Sequence, residues 1–311
     1  MTGRRVFCIG ETVFDIIFQD DRPIAAKPGG SMLNSAVSLG RAGIPVYLIS
    51  DFATDLVGDL VYRFLLENNV STQYIERYSN GKTPLALAFL DNQLDAEYDF
   101  YKVFPNDFNC SAMPSIQEGD IVLFGSFYAL SAMRRKSLMA FIRMAKTNGA
   151  FIVYDPNFRK SHLSELELVK PWIIENISLA SLVRGSDEDF AHIFDVSDAA
   201  EAFALIQQAG CPMLIYTKNK EGVELLTAGE HLEMPVAQID PISTIGAGDA
   251  CNAGIIYAIL NQAVAPAGWN WHTILQHGIL FSENVCLSLD NYISAGFGKA
   301  LNRTEPDGSN F

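Results

Sequence analysis

Residues 243–254, Ser-Thr-Ile-Gly-Ala-Gly-Asp-Ala-Cys-Asn-Ala-Gly, gather in one short stretch the residue types that can do chemistry. Gly246 and Gly248 flank Ala247, and Asp249 follows at once. Cys251, Ile255, Ala258 and Ile259 then recur on one helical face. The pattern predicts a helix starting at the glycine turn, with Asp249 in its first turn. The backbone N–H groups of Gly246, Ala247 and Gly248 and the positive end of that helix converge on one small volume. An anion can sit there without a basic side chain. A carboxylate at the rim repels the anion, which makes sense if it takes the proton of a hydroxyl that attacks it. The alternative is a structural helix entry, because an acidic residue in a first turn is stabilising by itself.

Other phosphate-binding patterns do not fit. A Walker loop needs GxxxxGK[ST], and the stretch has no such lysine. A dinucleotide fingerprint needs a small residue where Cys251 stands and an acid about 20 positions on, yet no Asp or Glu occurs between Asp249 and Glu283. The HRD and DFG signatures of protein kinases are missing.

The elements that must position this stretch alternate. Residues 5–9 read as a buried opening strand ending at Gly10-Glu11, and 13–18 as a second run carrying Asp15. A loop with Asp20, Asp21, Pro23 and Pro28 leads to Gly29-Gly30. There a helix begins, with Leu33, Ala36, Val37 and Gly40 on one face. Strand 44–50 and helix 56–67 follow. Later strands at 121–125, 150–154, 181–183 and 212–216 are separated by helices at 133–147, 165–176 and 199–209. A β pair at 223–226 and 232–235 precedes the glycine turn, and helices at 249–261 and 271–289 follow it. This predicts an α/β fold, a doubly wound and mostly parallel sheet with helices on both faces. Runs 84–90 and 97–101 break the rhythm as a hairpin around an Asp/Asn turn. With 13–18 they form either a small separate sheet covering a site or an edge hairpin of the main sheet. The polar tail 302–311 reads as loose. No repeat or long linker divides the chain, so 1–311 reads as one domain with a lid from about 13–28 and 84–104.

A doubly wound sheet binds ligands outside the carboxyl ends of its strands. Three strands end in polar stretches: Asp155-Pro-Asn157-Phe-Arg159, Arg184-Gly-Ser186-Asp-Glu-Asp189 and Thr217-Lys-Asn-Lys-Glu-Gly222. Each alone is also an ordinary turn with a helix cap.

Among 311 residues, 49% are hydrophobic and 19% charged, with a net charge of −14. Such an acidic chain is unsuited to nucleic acid or anionic membranes, though backbone N–H groups still allow a local phosphate site. Cys8, Cys110, Cys211, Cys251 and Cys286 are scattered without CxxC pairing, which reads as reduced small hydrophobes. With no signal-peptide pattern and no apolar run near a membrane span's length, the expected setting is cytoplasmic.

Gly29-Gly-Ser-Met-Leu-Asn34-Ser-Ala-Val-Ser-Leu-Gly40-Arg-Ala-Gly43 resembles the first signature of the PfkB, or ribokinase-like, carbohydrate kinases. Thr244-Ile-Gly-Ala-Gly-Asp249-Ala-Cys-Asn-Ala-Gly254 resembles their second. Gly10-Glu-Thr-Val-Phe-Asp15 and Asp51…Asp55-Leu-Val-Gly58 match in order, so the resemblance spans most of the chain. It implies a ribokinase-like fold with a small β lid and transfer of the γ-phosphoryl of ATP, with Mg²⁺, to a sugar hydroxyl. Asp249 would then be the base, with Gly246, Ala247 and Gly248 holding the transferred phosphoryl. Asp15, Gly30 and Asn34 would bind the sugar. Asn157, Ser186, Asp189, Thr217 and Gly222 would lie on the nucleotide side, with Asp189 near the metal.

Departures fall beside these residues. Ser243 stands where relatives commonly carry Asp, which bears on a monovalent cation such as K⁺. Ser186-Asp-Glu-Asp189 replaces Asn-x-x-Glu, and Thr217-Lys-Asn219 replaces Thr-x-Gly. The Asp155–Arg159 stretch, residues 84–89 and Phe100-Tyr101 resemble the fructokinase and 2-keto-3-deoxygluconate kinase branch. Arg159 would contact a phosphate or an acidic sugar, and Phe100, Tyr101 and Phe104 would wall the sugar. The expected function is a fructokinase-like sugar kinase. The alternatives are 2-keto-3-deoxygluconate kinase, ribokinase and, in another class, a weakly catalytic sugar sensor. The lids of relatives often pair in dimers, so the resemblance allows a homodimer through the lid, and the sequence leaves the oligomeric state open.

Overall fold

The computed structural model describes residues 3–90, 96–105, 113–262 and 266–301. The hairpin turn, Cys110 and the tail 302–311 lie outside them.

The central sheet starts from β1 (Val6–Ile9). β4 (Val46–Ala53) and β5 (Val70–Tyr78) lie on one side. β8 (Ile121–Gly125), β9 (Phe151–Asp155), β10 (Leu182–Ser186), β11 (Met213–Thr217), β12 (Val223–Thr227) and β13 (His231–Met234) lie on the other. The pairs from β5 through β11 are parallel, and β12 and β13 close the edge antiparallel. Side chains alternate, so each inner strand feeds two cores. Val6, Cys8, Leu48 and Leu123 pack with helices α1 (Ser31–Arg41), α2 (Leu56–Glu67), α7 (Ala247–Leu260) and α8 (Trp271–Cys286). Phe7, Ile9, Phe124 and Tyr154 pack with α3 (Ala132–Thr147), α4 (Leu166–Leu179), α5 (Asp187–Phe194) and α6 (Ala199–Gln208). A short α9 (Ala295–Leu301) follows α8. The chain leaves β1 toward β4 and later returns to its other side with β8. The carboxyl ends of β1 and β8 therefore mark the switch point where such sheets open a crevice.

The irregular hairpin is part of a separate four-stranded sheet, ordered β3 (Arg22–Gly29), β2 (Val13–Gln19), β6 (Lys82–Leu90), β7 (Ala96–Val103). The edge-hairpin alternative is thereby excluded. β3 was expected as loop because of Pro23 and Pro28. It is an edge strand, where a missing N–H on the open side costs no ladder bond. β5, with its polar Ser71-Thr-Gln73, has no clear apolar alternation and is the other strand the pattern misses. Lys102 on β7 bonds Glu11 after β1 at 2.8 Å, tying the small sheet to the body.

The described cysteines, Cys8, Cys211, Cys251 and Cys286, are free thiols. No helix among the described residues is long and apolar enough to cross a membrane.

Candidate active site

Gly246 caps α7 with φ 85°, the left-handed region, and a methyl there would collide with the carbonyl oxygen of Asn291. Only glycine meets both demands. Ala247, Gly248 and Asp249 form the first turn, as the spacing predicted. Asp249 is 8% exposed. Its Oδ1 accepts from the Ser31 hydroxyl at 2.6 Å and its Oδ2 from the Asn34 amide at 2.8 Å. Ser35 donates to its main-chain carbonyl at 2.9 Å. Burial pushes its pKa up, while the two hydrogen bonds and the charges of Arg159 and Arg184 oppose the rise.

Ser31, Asn34 and Ser35 reach Asp249 because positions i, i+3 and i+4 share a face, so α1 lays a polar stripe along α7. The sequence reading named only Asn34. Polar residues at helical spacing in an otherwise apolar helix were the available signal. The Asn34 Oδ1 is buried and has no hydrogen-bond partner.

Asp15 lies on β2, 6% exposed, with Lys27 opposite it on β3. Its Oδ2 accepts from Asn291 Nδ2 at 3.0 Å. Burial raises its pKa to about 7. Lys27 and Asn291 pull it down, and Asp249 adds to the rise. Gly30, at φ 116°, lies against the carbonyl oxygen of Glu11, where a Cβ would clash. Asp15, Gly30, Asn34 and Asp249 thus come together from elements more than 200 residues apart.

The inner face of the small sheet carries the row Lys27, Asp15, Ala86, Phe100 and the neighbouring Tyr98. Tyr98 feels the charges of Asp15, Arg159 and Asp249. Tyr101, expected as a wall of the site, lies one residue out of phase on the opposite face, because strand side chains alternate. Tyr98 replaces it. Phe104 instead sits under the guanidinium of Arg134, which grips Asp51 with two nitrogens at 2.9 and 2.5 Å.

A second cluster occupies the ends of β9, β10 and β11. Asp155 accepts from the Asn157 N–H at 2.9 Å, from Asn252 at 2.5 Å and from Arg184 at 3.2 Å. Arg184 also donates to the Thr217 hydroxyl at 2.7 Å. Ser186 and Asp189 form a reciprocal capping box on α5, so serine does a capping asparagine's work there. Asn219 has φ 50°, a conformation that asparagine tolerates and glycine ordinarily supplies. Gly222 closes the turn before β12 against the carbonyl of Met234, and its own carbonyl accepts from the Lys218 N–H at 2.9 Å, next to Thr217. Arg159 is exposed just beyond the cluster. The buried Ser243 hydroxyl accepts from the Ile245 N–H at 3.2 Å and anchors the loop before the glycine turn.

The profile of pfkB family carbohydrate kinases matches residues 4–289. The chain belongs to that family. It is 23% identical to a fructokinase of Vibrio alginolyticus over 281 residues, 90% of each chain. It superposes on the crystal structure of fructokinase from Vibrio cholerae O395, bound to fructose, ADP and calcium. The TM-score is 0.84 at 22% identity, covering 96% of this chain and 98% of that one. Aminoimidazole riboside kinase from Salmonella enterica, complexed with aminoimidazole riboside and an ATP analogue, gives 0.82 at 18% identity, covering 96% and 99%. At these identities the structural likeness carries the ribokinase-like fold.

The Ala247 N–H donates within the turn to the Thr244 carbonyl at 3.2 Å, so the anion-facing role expected of it falls to its neighbours. The remaining N–H groups at the start of α7, backed by the Arg184 charge, suit a nucleotide's phosphates. A metal ion bonded directly to Asp189 would have to displace existing donors. The carboxylate accepts from the Phe158 N–H at 2.6 Å, the Ser186 N–H at 2.8 Å and the Ser186 hydroxyl at 2.7 Å. Among the described residues, no group of three His, Cys, Asp or Glu side chains could hold a metal ion.

Proposed function

We propose that this pfkB kinase transfers the γ-phosphoryl group of ATP to a hydroxyl of a free sugar, as a fructokinase-like enzyme. The observation that carries the reading is Asp249. It is one buried carboxylate placed where the anion turn meets the polar face of Asp15, Gly30, Ser31 and Asn34. The sugar hydroxyl takes over a hydrogen bond to Asp249, which receives its proton as the oxygen attacks the γ-phosphorus. The bond from that phosphorus to the β–γ bridging oxygen breaks, and ADP leaves. The N–H groups of Gly246 and Gly248 face the charge on the transferred group, while that of Ala247 holds the turn through the Thr244 carbonyl. The carboxylate of Asp15 and the open acceptor of Asn34 suit a ligand rich in O–H donors. Asn157, Ser186, Thr217 and Gly222 border the nucleotide side, and Arg159 reaches toward its phosphates or the sugar. Mg²⁺ would come with the nucleotide and would supply charge neutralisation at its phosphates, because such ions favour phosphate and water over all-protein cages.

The sugar is assigned to the fructose class on the relatives' substrates. An ADP-release screen with Mg-ATP over fructose, ribose, tagatose, 2-keto-3-deoxygluconate and adenosine is expected to give its highest kcat/KM with fructose. Preference for 2-keto-3-deoxygluconate would move the assignment to an acidic sugar, with Arg159 as its partner. Sugar binding without ADP release would favour the sensor reading.

The outer face of the small sheet carries Ile16, Phe18, Leu87 and a 42% exposed Phe89 stacked on Phe18. An apolar face of this kind suits a second copy of the chain. Sedimentation should find a dimer that Phe89→Asp converts to monomer; an unchanged dimer places the interface elsewhere.

A further inference from the structure

The anion turn rests on a buried arginine. The guanidinium of Arg184 lies flat against Gly248, where a methyl group would stand 2.6 Å from Nη1, 3.1 Å from Nη2 and 3.2 Å from Cζ. No side chain larger than hydrogen fits between them. The same group donates to Asp155 from β9 and to Thr217 from β11, so it joins three strand ends to the first turn of α7.

Its ion pair is loose. Asp155 Oδ2 is 3.2 Å away and is shared with Asn252 at 2.5 Å, and the buried Arg184 Nε has no hydrogen-bond partner. The pair of Arg134 with Asp51 shows the contrast, because there Nε and Nη2 both grip the carboxylate. The guanidinium touches Gly248 directly, so its field acts on the turn at short range, opposed in part by the Asp155 carboxylate. What lies on the other side of Arg184 is the backbone that faces the phosphoryl group.

We propose that Arg184 is the positioning residue of the anion turn. It is the platform against which Gly248 sits, so it sets where the open N–H groups of the turn point, and its fixed positive charge favours phosphoryl negative charge in front of them. It also helps keep Asp249 ionised. The charged or titratable groups that bear on Asp249 are Asp15 and Tyr98 from the small sheet, Asp155 and Arg159 at the end of β9, and Arg184 itself. Asp15 and Asp155 oppose its ionisation, and Arg159 and Arg184 support it.

This inference rests on the sugar-kinase reading. The experiment measures kcat, sugar KM, the acid limb of the pH–rate profile and the melting temperature for Arg184→Met, Arg184→Gln and Arg184→Lys, beside Asp249→Asn. Losing one direct oxyanion donor costs about 10²–10³ in rate. A charge acting from behind the turn should cost about 10- to 100-fold in kcat for Met and Gln. Sugar KM should stay near the wild-type value. The acid limb should move to higher pH, because Asp249 loses a neighbour that holds its pKa down. Lysine should recover most of kcat and the wild-type limb. If Arg184→Met does not fold, Arg184→Gln, shorter but polar and neutral, carries the same comparison.

Unchanged kcat and an unmoved limb in the neutral variants would overturn the proposal. So would a lowered melting temperature with normal turnover of the folded fraction. An inactive Asp249→Asn beside a fully active Arg184→Gln removes this inference alone. An active Asp249→Asn removes the sugar-kinase reading beneath it.

Discussion

Asp249→Asn is expected to lower kcat by about 10²- to 10⁴-fold, the range of a positioned general base, with sugar KM little changed. The amide has the carboxylate's shape. Its oxygen can accept from Asn34, and its NH₂ can donate to Ser31, whose hydroxyl turns to accept. The fold therefore keeps its contacts while the site loses the group that takes a proton. Steady-state kinetics with the sugar varied at saturating Mg-ATP checks the split. A variant with kcat near wild type would dismiss Asp249 as the base. A fall confined to KM would make it a sugar ligand only.

Asp15→Asn is expected to do the opposite, raising sugar KM about 10- to 100-fold with a smaller effect on kcat. A hydrogen bond to a charged group contributes about 1.5–3 kcal/mol, which corresponds to that range. The pH dependence sharpens the test. With a pKa of about 7, Asp15 becomes a full acceptor only as pH rises through neutrality, so wild-type KM should fall between about pH 6 and 8. That slope should vanish in Asp15→Asn. Stability runs the other way. The folded pKa lies above the unfolded value of roughly 3.9, so this group's contribution is fully present below that value and is lost as pH rises through about 7. The ligand-free wild type should therefore lose melting temperature over that interval relative to the variant. Equal slopes for both proteins, in KM and in melting temperature, would refute the role given to Asp15.

Parts of this site are legible in the sequence itself. Asp249 after Gly246-Ala-Gly248 could be recognised because an anion turn is local, made by consecutive N–H groups and the first turn of one helix. Helix α2 begins and ends where the apolar spacing placed it. Three of the small sheet's four strands, at 13–18, 84–90 and 97–101, are legible. The fourth, β3, carries prolines that are tolerated only because it is an edge, and an edge is a property of the assembled sheet. Tyr98 and Tyr101 are three apart in a strand, so one faces the site and the other does not. Which one does was decided by the pairing of β6 with β7.

The chain's own pattern determined a doubly wound α/β fold, an anion turn and the carboxylate beside it, because periodicity, glycine turns and helix starts act over a few residues. Only the tertiary structure decided what surrounds that carboxylate. Ser31 is 218 positions from Asp249, Asn291 is 276 from Asp15, and Arg184 reaches Gly248 from another strand end. These contacts follow from strand order and register, which bring distant segments to one crevice. Burial there sets the Asp15 and Asp249 pKa values, since desolvation depends on everything packed around a group and not on its sequence neighbours.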